Sequence, residues 1–379
     1  MIPYYTVFIV TIFFYAISKN TKYTFLLALL FIYLSLFVGL GDMIGGYDRY
    51  IYGEAFDAIA DSRNQENNIS SMLYLVSGWE YGYFAWEVLI SHFTSNRYIF
   101  ILITTIFVYF LYFLAFRKYI NDYPLACIVF LGFLYYFTMT YLRQVLAVGI
   151  AWQGIQYIWK RKSIPFFFFV VLASSFHNSA LLFSIMYFIP TRKYPKYLIL
   201  LVLATSLILG LGDLPNMFIS SAGDITNKIA AHGDYEDQFQ GFRMEYVLEV
   251  LFLVFITFTH YRKIDNNPKT LTFLNMTYCL CAVLLFFMRF GQGGRLAWPF
   301  LMGVIYTLTY ISDLKRAEAW CKPAVIVVCF ALFLRITIAW APLNAPYKTF
   351  FTNGEPAGNG TIYHNHEYDY NYTVDKLYR

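Results

Sequence analysis

The chain has 379 residues, of which 59% are hydrophobic, 21% aromatic and only 13% charged, with a formal net charge of +5. That charged fraction is about half the value typical of soluble globular domains, so the composition excludes a soluble protein. Apolar runs of about 17–25 residues, which cross about 30 Å of hydrocarbon as helices, recur along nearly the whole sequence. We therefore predict an all-α fold, a polytopic integral membrane protein with about 12 transmembrane helices, within a range of about 10–14.

The apolar runs give the predicted spans in chain order. They cover residues 3–18, 23–41, 98–116, 123–140, 143–159, 164–176, 178–190, 197–212, 244–261, 271–289, 295–312 and 323–341. The first run has no basic residue before it and no small-residue cleavage site, so we expect a retained span and not a signal peptide. We expect residues 1–341 to form a single transmembrane catalytic domain, followed by a flexible extracytoplasmic tail at 342–379.

Every second connection between these runs is short and basic, which is typical of cytoplasmic loops. Both termini and two long loops, 42–97 and 213–242, would then face outward. The basic residues left over are three lysines and nine arginines, so arginine is enriched on the outward side. Because a guanidinium binds phosphate or carboxylate oxygens bidentately, this enrichment favours an anionic substrate there. Within the first long loop, residues 83–93 are too short to span and predict an interfacial or re-entrant helix.

Candidate site residues begin with Arg143 and Gln144, at the outer end of the predicted span 143–159. A cation at a helix N-terminus adds to the positive end of the helix dipole, which favours a nearby anion. His177 and Asn178 lie in the turn between two apolar runs of about 13 residues, each only about 20 Å long by helix rise. A histidine in that position is suited to act as a base, a hydrogen-bond donor or a ligand, although a structural histidine would have the same pattern.

Two further clusters carry charge near the outward face. Arg289 and Arg295 flank a glycine-rich turn, and because glycine lets the backbone approach a ligand closely, we expect an anion clamp. Asp48, with Arg49 beside it, opens the first long loop and Glu80 lies near its end. Either carboxylate is a candidate general base or an arginine partner.

The sequence has no Gly-rich phosphate loop and no HExxH motif, so we expect no metal and no cofactor. A reaction outside the cytoplasm without a nucleotide needs a substrate that arrives activated, such as a lipid-linked sugar diphosphate. We expect no nucleic-acid partner.

The same residues carry a resemblance to a known family. In order along the chain, they are Gly46-Tyr47-Asp48 with Tyr50 and Tyr52, Glu80-x-Gly82-Tyr83, Arg143-Gln144-x-x-Ala147, Phe176-His177-x-Ser179-Ala180 and Arg295. Over roughly residues 1–310 the chain resembles the EpsG branch of the Wzy-type polysaccharide polymerases, enzymes of O-antigen, capsule and exopolysaccharide synthesis.

The resemblance implies a glycosyltransferase of the bacterial inner membrane that polymerises undecaprenyl-diphosphate-linked repeat units on the periplasmic or outer face. It implies a chain-length regulator and a flippase as pathway partners, besides the bilayer itself. The candidate bases are His177, Glu80 and Asp48. The candidate substrate or diphosphate ligands are Arg143, Gln144, Arg289, Arg295, Arg49 and Asn178.

Three other functions stay open at this point. Ligases that attach polymer to lipid A or to protein differ from a polymerase by their acceptor alone, and sequence does not separate acceptors. A lipid-linked oligosaccharide flippase would use the same substrate and compartment, but such transporters usually contain two related halves, and no internal repeat is evident. A membrane-bound O-acyltransferase would use His177 as a base for attack on a thioester, with access from the cytoplasm.

Overall fold

The computed structural model describes residues 1–18, 22–64, 73, 76, 79–212, 214–215, 242–290, 293–314, 318–352 and 376–377. Regular structure within these ranges is helical, apart from one isolated antiparallel bridge between Gly41 and Thr349. The all-α prediction is therefore confirmed. The predicted loop 213–242 lies outside the described residues except at its ends.

In chain order the α-helices are α1 (Ile2–Ile17), α2 (Thr24–Gly39), α3 (Tyr47–Asn64), α4 (Tyr81–Ser91), α5 (Arg97–Tyr119), α6 (Tyr123–Phe133), α7 (Leu142–Gly154), α8 (Gln156–Trp159), α9 (Ser163–Phe176), α10 (Ile185–Phe188), α11 (Lys196–Leu211), α12 (Met244–Thr259), α13 (Pro268–Phe286), α14 (Gly293–Leu296), α15 (Leu301–Ser312), α16 (Cys321–Ala339) and α17 (Ala341–Asn344). Short 3₁₀ helices lie at Tyr135–Met139, Asn178–Ser184, Tyr261–Lys263 and Trp298–Phe300.

Each predicted apolar run coincides with helix. Three of the described helices, α5, α13 and α16, are long and apolar enough to cross a membrane by length and composition. Several shorter apolar helices of 10–17 residues accompany them. These helices make the chain a membrane protein, whereas the predicted number of about 12 spans is not confirmed and stays a prediction.

Several of the predicted continuous spans are interrupted, including 143–159 at Ile155 and 295–312 at Ala297. Run 123–140 ends its α-helix at Phe133 and continues as the 3₁₀ helix Tyr135–Met139. Run 178–190 begins as the 3₁₀ helix Asn178–Ser184. Hydropathy reports how apolar a segment is and not which carbonyl each N–H reaches, so it does not detect such changes of helix type.

The first long loop contains a helix that the sequence analysis missed. Helix α3 has 18 residues and buries Tyr52, Phe56, Ile59 and Ala60 at helical spacing, each at most 4% exposed. Its many charged residues hid this apolar face. The helix predicted at 83–93 is present as α4, with 11 residues. Its length is about 16 Å, and its position in the membrane interface stays a prediction.

The Cα positions divide the chain into two compact units. The first unit is Met1–Val76, Tyr81–Gly149 and Ala324–Arg379, and the second is Ser77–Glu80 and Ile150–Pro323. This division was not expected within residues 1–341. The single catalytic domain of the sequence analysis is a functional prediction, and it stays one.

The core of the first unit is aromatic. Helix α2 packs against α5, α1 packs against α6, and α3 packs against both α4 and α5. The Phe31 ring on α2 lies 5.1 Å from that of Phe116 and 6.0 Å from that of Phe130, measured between centroids. Phe56 of α3 stacks on Phe100 of α5 at 4.2 Å. These contacts fix α3 and α4, which carry several of the candidate residues, on the long helix α5.

Helix α13 is the centre of the second unit, where it packs against α11, α12 and α15. Gly303 of α15 makes the last contact possible, because a Cβ there would lie 2.5 Å from Cβ of Met276 and 2.8 Å from the Phe273 carbonyl oxygen. Helix α9 packs against the 3₁₀ helix that follows it, with the Phe166 and Phe183 ring centroids 5.8 Å apart. That contact folds the chain back sharply at His177.

Both described stretches of the tail that was predicted to be flexible, 342–352 and 376–377, are hydrogen-bonded to the rest of the chain. The Asp42 N–H donates to the Lys348 carbonyl oxygen at 3.0 Å. Further on, the fully buried Lys376 donates from Nζ to Asp42 Oδ2 at 2.6 Å, and its carbonyl oxygen accepts from Asn96 Nδ2 at 2.7 Å. A buried carboxylate needs a counter-charge, and the tail supplies it. Residues 353–375 of the tail lie outside the described part.

Lys376→Met should lower the free energy of unfolding of the purified protein, by an amount on the order of 3–5 kcal/mol, because it leaves the Asp42 carboxylate buried without its nearest cation. The loss is measured as a lower melting temperature. The double variant Asp42→Asn/Lys376→Met should recover most of the loss, since it removes both charges. Lys348→Met is the matched control, because that amine is 3.8 Å from the same carboxylate and should matter less. Equal melting temperatures for Lys376→Met and the wild type would contradict this account.

Candidate functional site

Glu80 meets the turn at His177 within the second unit, although 98 residues separate it from Asn178. Its Oε1 accepts the Asn178 backbone N–H at 3.1 Å, and the residue is only 5% exposed. The first N–H groups of a helix have no partner inside it, so a carboxylate at that end is stabilised. Two predicted site residues are thus brought together by a direct hydrogen bond.

The ring of His177 is oriented by its own turn. The residue is extended, with φ −157° and ψ 125°, between the end of α9 and the 3₁₀ helix. Its Nδ1 accepts the Ser179 N–H at 3.2 Å and lies 2.8 Å from Ser179 Oγ. A ring nitrogen that accepts an N–H carries no proton, so the proton of the neutral imidazole is on Nε2. His177 therefore offers an N–H donor at Nε2.

Arg295 lies on a short helix beside this turn. Helix α14 contacts the 3₁₀ helix Asn178–Ser184, which begins one residue after His177. The Arg295 guanidinium carbon is 6.0 Å from the centroid of the Trp298 ring, within cation–π range. The second unit thus holds an acceptor, a ring donor and a guanidinium on neighbouring segments.

Two glycines of this turn, Gly293 and Gly294, lie very close to other parts of the protein. A Cβ at Gly293 would collide with the Phe287 carbonyl oxygen, and a Cβ at Gly294 with the Tyr246 hydroxyl. The close approach that these two glycines permit is to the protein itself, and an anion bound at this turn stays a prediction. Gln292, in the same turn, lies outside the described residues.

The two arginines of the predicted clamp, Arg289 and Arg295, make different contacts. Arg289 donates from Nη1 to the Leu211 carbonyl oxygen at 2.8 Å, at the C-terminal end of α11. Such a bond satisfies a carbonyl that has no partner within its helix. Arg289 therefore has a structural contact that accounts for its position, and its role as a diphosphate ligand stays a prediction.

Arg143 belongs to a second group of residues, in the first unit. It is the second residue of α7, and its guanidinium carbon lies 5.3 Å from the Tyr52 ring centroid and 5.9 Å from that of Tyr83. The two tyrosine rings, on α3 and α4, are themselves 5.9 Å apart. Gln144, the next residue, is only 1% exposed. The predicted arginine is thus held between aromatic faces, while its amide neighbour is part of the core.

The remaining two candidates, Arg49 and Asp48, lie at the start of α3. Arg49 is 1% exposed and donates to the carbonyl oxygens of Met139 at 3.1 Å, and of Val38 and Gly41 at 2.9 Å each. These bonds connect α3 to the end of α2 and to a 3₁₀ helix, so we leave Arg49 out of the proposed site. Asp48 is half-buried in the first helical turn, where a negative charge favours the helix dipole.

Glu87 is a residue that the sequence analysis passed over. It is 4% exposed, one helical turn after Tyr83 on α4, and within the described part of the chain its buried Oε1 has no hydrogen-bond partner. Burial raises the pKa of Glu87 to about 8, and the charge of Arg143 opposes the rise. The sequence alone could have pointed to Glu87, because it is the one charged residue in the segment Tyr81–Ser91.

The structure thus distributes the candidates between the two units. The second unit contains Glu80, His177, Asn178, Arg289 and Arg295, and the first contains Asp48, Arg49, Arg143 and Gln144. The group in the second unit combines a buried carboxylate acceptor with a ring N–H and a guanidinium. That set can remove a proton from a hydroxyl and stabilise an anionic leaving group.

A comparison with protein families finds one described as the EpsG family, whose model matches residues 26–349. All nine predicted site residues lie inside that range, as Glu87 does. The chain matches none of the curated proteins and none of the solved structures with which it was compared.

Replacing Glu87 by Gln should change how stability depends on pH. The folded carboxyl, with a pKa of about 8, keeps a proton that the unfolded chain releases near 4.5. The free energy of unfolding should therefore fall as the pH rises from about 4.5 to about 8 and level off above. Glu87→Gln lacks this contribution, so its melting temperature should fall less between pH 5 and pH 8 in the same detergent. The same slope for both proteins would contradict a raised pKa.

Proposed function

The chain belongs to the EpsG family, and on that basis we propose that it is a glycosyltransferase that joins lipid-linked oligosaccharide repeat units into a polysaccharide. Membership in the family indicates a polymerase-like role in the synthesis of exopolysaccharide or surface glycan. The specific reaction that we propose is transfer of a growing glycan from undecaprenyl diphosphate to the non-reducing-end hydroxyl of a new lipid-linked repeat unit.

The observation that carries this proposal is the hydrogen bond between Glu80 and the Asn178 N–H. The acceptor hydroxyl must lose a proton as it attacks, so a base has to lie within hydrogen-bond reach. Glu80 is a buried carboxylate whose Oε1 is held by that N–H at 3.1 Å. A held carboxylate keeps its orientation, which favours Glu80 over the half-buried Asp48 as the base.

His177 has a donor role in this proposal. Its Nδ1 is occupied by Ser179, and its Nε2 carries the proton of the neutral ring. An N–H at Nε2 can donate to an oxygen of the leaving diphosphate or of the sugar, and it cannot also accept the hydroxyl proton. The geometry therefore supports Glu80 as base and His177 as hydrogen-bond donor.

Arg295 supplies the positive charge. A diphosphate that leaves an anomeric carbon gains negative charge on its oxygens, and a guanidinium already in place stabilises that charge without reorganisation. Its planar fork binds two phosphate oxygens at once, which a lysine cannot do. Arg295 is on the helix that contacts the 3₁₀ helix following His177.

In the proposed step, the acceptor oxygen forms a bond to the anomeric carbon, and the bond from that carbon to the diphosphate oxygen breaks. The hydroxyl proton goes to Glu80, and the electron pair leaves with the lipid diphosphate, which Arg295 stabilises. A single displacement of this kind inverts the anomeric configuration. We propose that the reaction takes place on the periplasmic or outer face of the inner membrane, with a flippase supplying substrate and a chain-length regulator acting on the product.

Replacing Glu80 by Gln in the host gene should reduce polymer formation by about 10²–10⁴-fold, because an amide does not accept the hydroxyl proton. Its oxygen can still accept the Asn178 N–H, so the protein should reach the membrane at the wild-type level. Polymer is measured by gel and lipid-linked intermediates by mass spectrometry. Single repeat units should accumulate on the outer face. Arg295→Lys should show nearly the same loss.

The matched control is Glu54→Gln, the same chemical change on a partly exposed carboxylate of α3, which should leave polymer unchanged. Normal polymer in Glu80→Gln would refute the assignment of the base. Repeat units trapped on the cytoplasmic face would indicate a flippase. Intact polymer lacking only an acyl group would indicate an acyltransferase.

The proposed orientation is tested by thiol labelling. Trp79 is 72% exposed beside Glu80, and Lys162 is exposed between α8 and α9. A membrane-impermeant maleimide should label Trp79→Cys in intact spheroplasts, whereas Lys162→Cys should react only after permeabilisation. The wild type, with its five native cysteines, is the blank. The opposite labelling pattern would place Glu80 on the cytoplasmic side and exclude the proposed reaction.

A further inference from the structure

A buried carboxyl with an empty hydrogen-bonding position lies on α4, outside the group assigned above to catalysis. Glu87 is 4% exposed, and its Oε1 makes no hydrogen bond within the described residues. A buried polar atom without a partner costs stability, so such an atom in a folded protein calls for an explanation. One explanation is that a bound substrate group forms the missing hydrogen bond with Glu87.

The neighbour of Glu87 is a positioned cation. Tyr83 and Glu87 are four residues apart on α4, so their side chains lie on the same helix face. The Tyr83 ring centroid is 5.9 Å from the Arg143 guanidinium carbon, and that of Tyr52 is 5.3 Å from it. Arg143 is therefore held on the side of α4 that carries Glu87, and its charge acts on the Glu87 carboxyl.

The combined charge of Glu87 and Arg143 depends on one proton, that of the Glu87 carboxyl. Burial raises the pKa of Glu87 to about 8, so at neutral pH the carboxyl is uncharged and has an O–H to donate. Asp57 on α3 is paired with Arg97 of α5, and α4 has no other charged residue. Arg143 adds a positive charge and guanidinium donors beside the O–H of the acid, and this combination is the complement of an oxyanion.

We propose that Glu87, as a neutral acid, and Arg143 together bind one oxyanion of the substrate, a phosphate or a carboxylate, beside Tyr52 and Tyr83. The inference rests on the proposed function, since a lipid-linked glycan supplies the oxyanion either from its diphosphate or from an acidic sugar of the repeat unit. Glu87 donates through its protonated oxygen and Arg143 through its fork. An ionised Glu87 would instead repel the oxyanion.

The test measures binding by the purified full-length chain in nanodiscs. The variants are Glu87→Gln, which keeps a neutral donor, and Glu87→Met, which has a similar volume and no donor. Both also carry Arg295→Met, so that the catalytic group does not contribute to binding, and they are compared with Arg295→Met alone. The probes are geranylgeranyl diphosphate for the lipid source and glucuronate for the sugar source.

For one of the two probes, we expect Glu87→Gln to bind as tightly as the parent and Glu87→Met at least about tenfold more weakly. The probe that responds identifies the source of the oxyanion. Raising the pH from 7 to 9 should weaken binding to the parent about tenfold, because one pH unit above its pKa the acid is only about one-tenth protonated. Glu87→Gln should not respond to pH, and a purely structural Glu87 would show no such difference.

Equal binding of both probes by Glu87→Met and the parent would overturn the proposal. Equal loss in Glu87→Gln and Glu87→Met would overturn it too, since it would mean that an ionised carboxylate is needed. A melting curve of each variant separates lost binding from lost folding. Because no polymer is formed in this assay, a failed polymerase assignment and a failed Glu87 assignment give different results.

Discussion

The structure depends on satisfying backbone polar groups where helices are interrupted in an apolar environment. Lipid offers no water to an unpaired N–H or carbonyl oxygen, so each interruption needs a partner from elsewhere in the chain. Arg49 donates to the Met139 carbonyl oxygen at the end of one 3₁₀ helix. Glu80 accepts the first N–H of another, at Asn178. Arg49 and Glu80 are therefore buried where backbone groups need a hydrogen-bond partner.

This requirement also explains why chemistry is possible at Glu80. A carboxylate whose oxygen accepts an N–H at a helix start keeps one direction, and a general base needs a fixed direction toward the proton that it removes. The same type of contact has the opposite meaning for Arg49, whose bonds to carbonyl oxygens occupy much of its donor capacity. Buried charge is thus not a sufficient sign of function, and the remaining capacity of each group decides its role.

Much of the fold was predictable, because apolar runs report burial and each one became helix. Helix α3 was missed because its apolar face lies among many charges. The contact between Glu80 and Asn178 could not be predicted, since it spans 98 residues and depends on a change of helix type that hydropathy does not report. Glu87 escaped notice because a lone acid in an amphipathic segment resembles an interfacial residue, and its significance comes from its burial.

The discontinuity of the first unit has a consequence for biosynthesis. Its segments lie on both sides of Ile150–Pro323, which supplies nearly all of the second unit and emerges from the ribosome as one stretch. Since contiguous units tend to fold during synthesis, the second unit can assemble while the first is still incomplete. The bond between Lys376 and Asp42 spans 334 residues, so it can form only after Lys376 has been synthesised. Premature termination just before Lys376 would then leave a chain with its central half assembled and the carboxylate of Asp42 without its nearest cation.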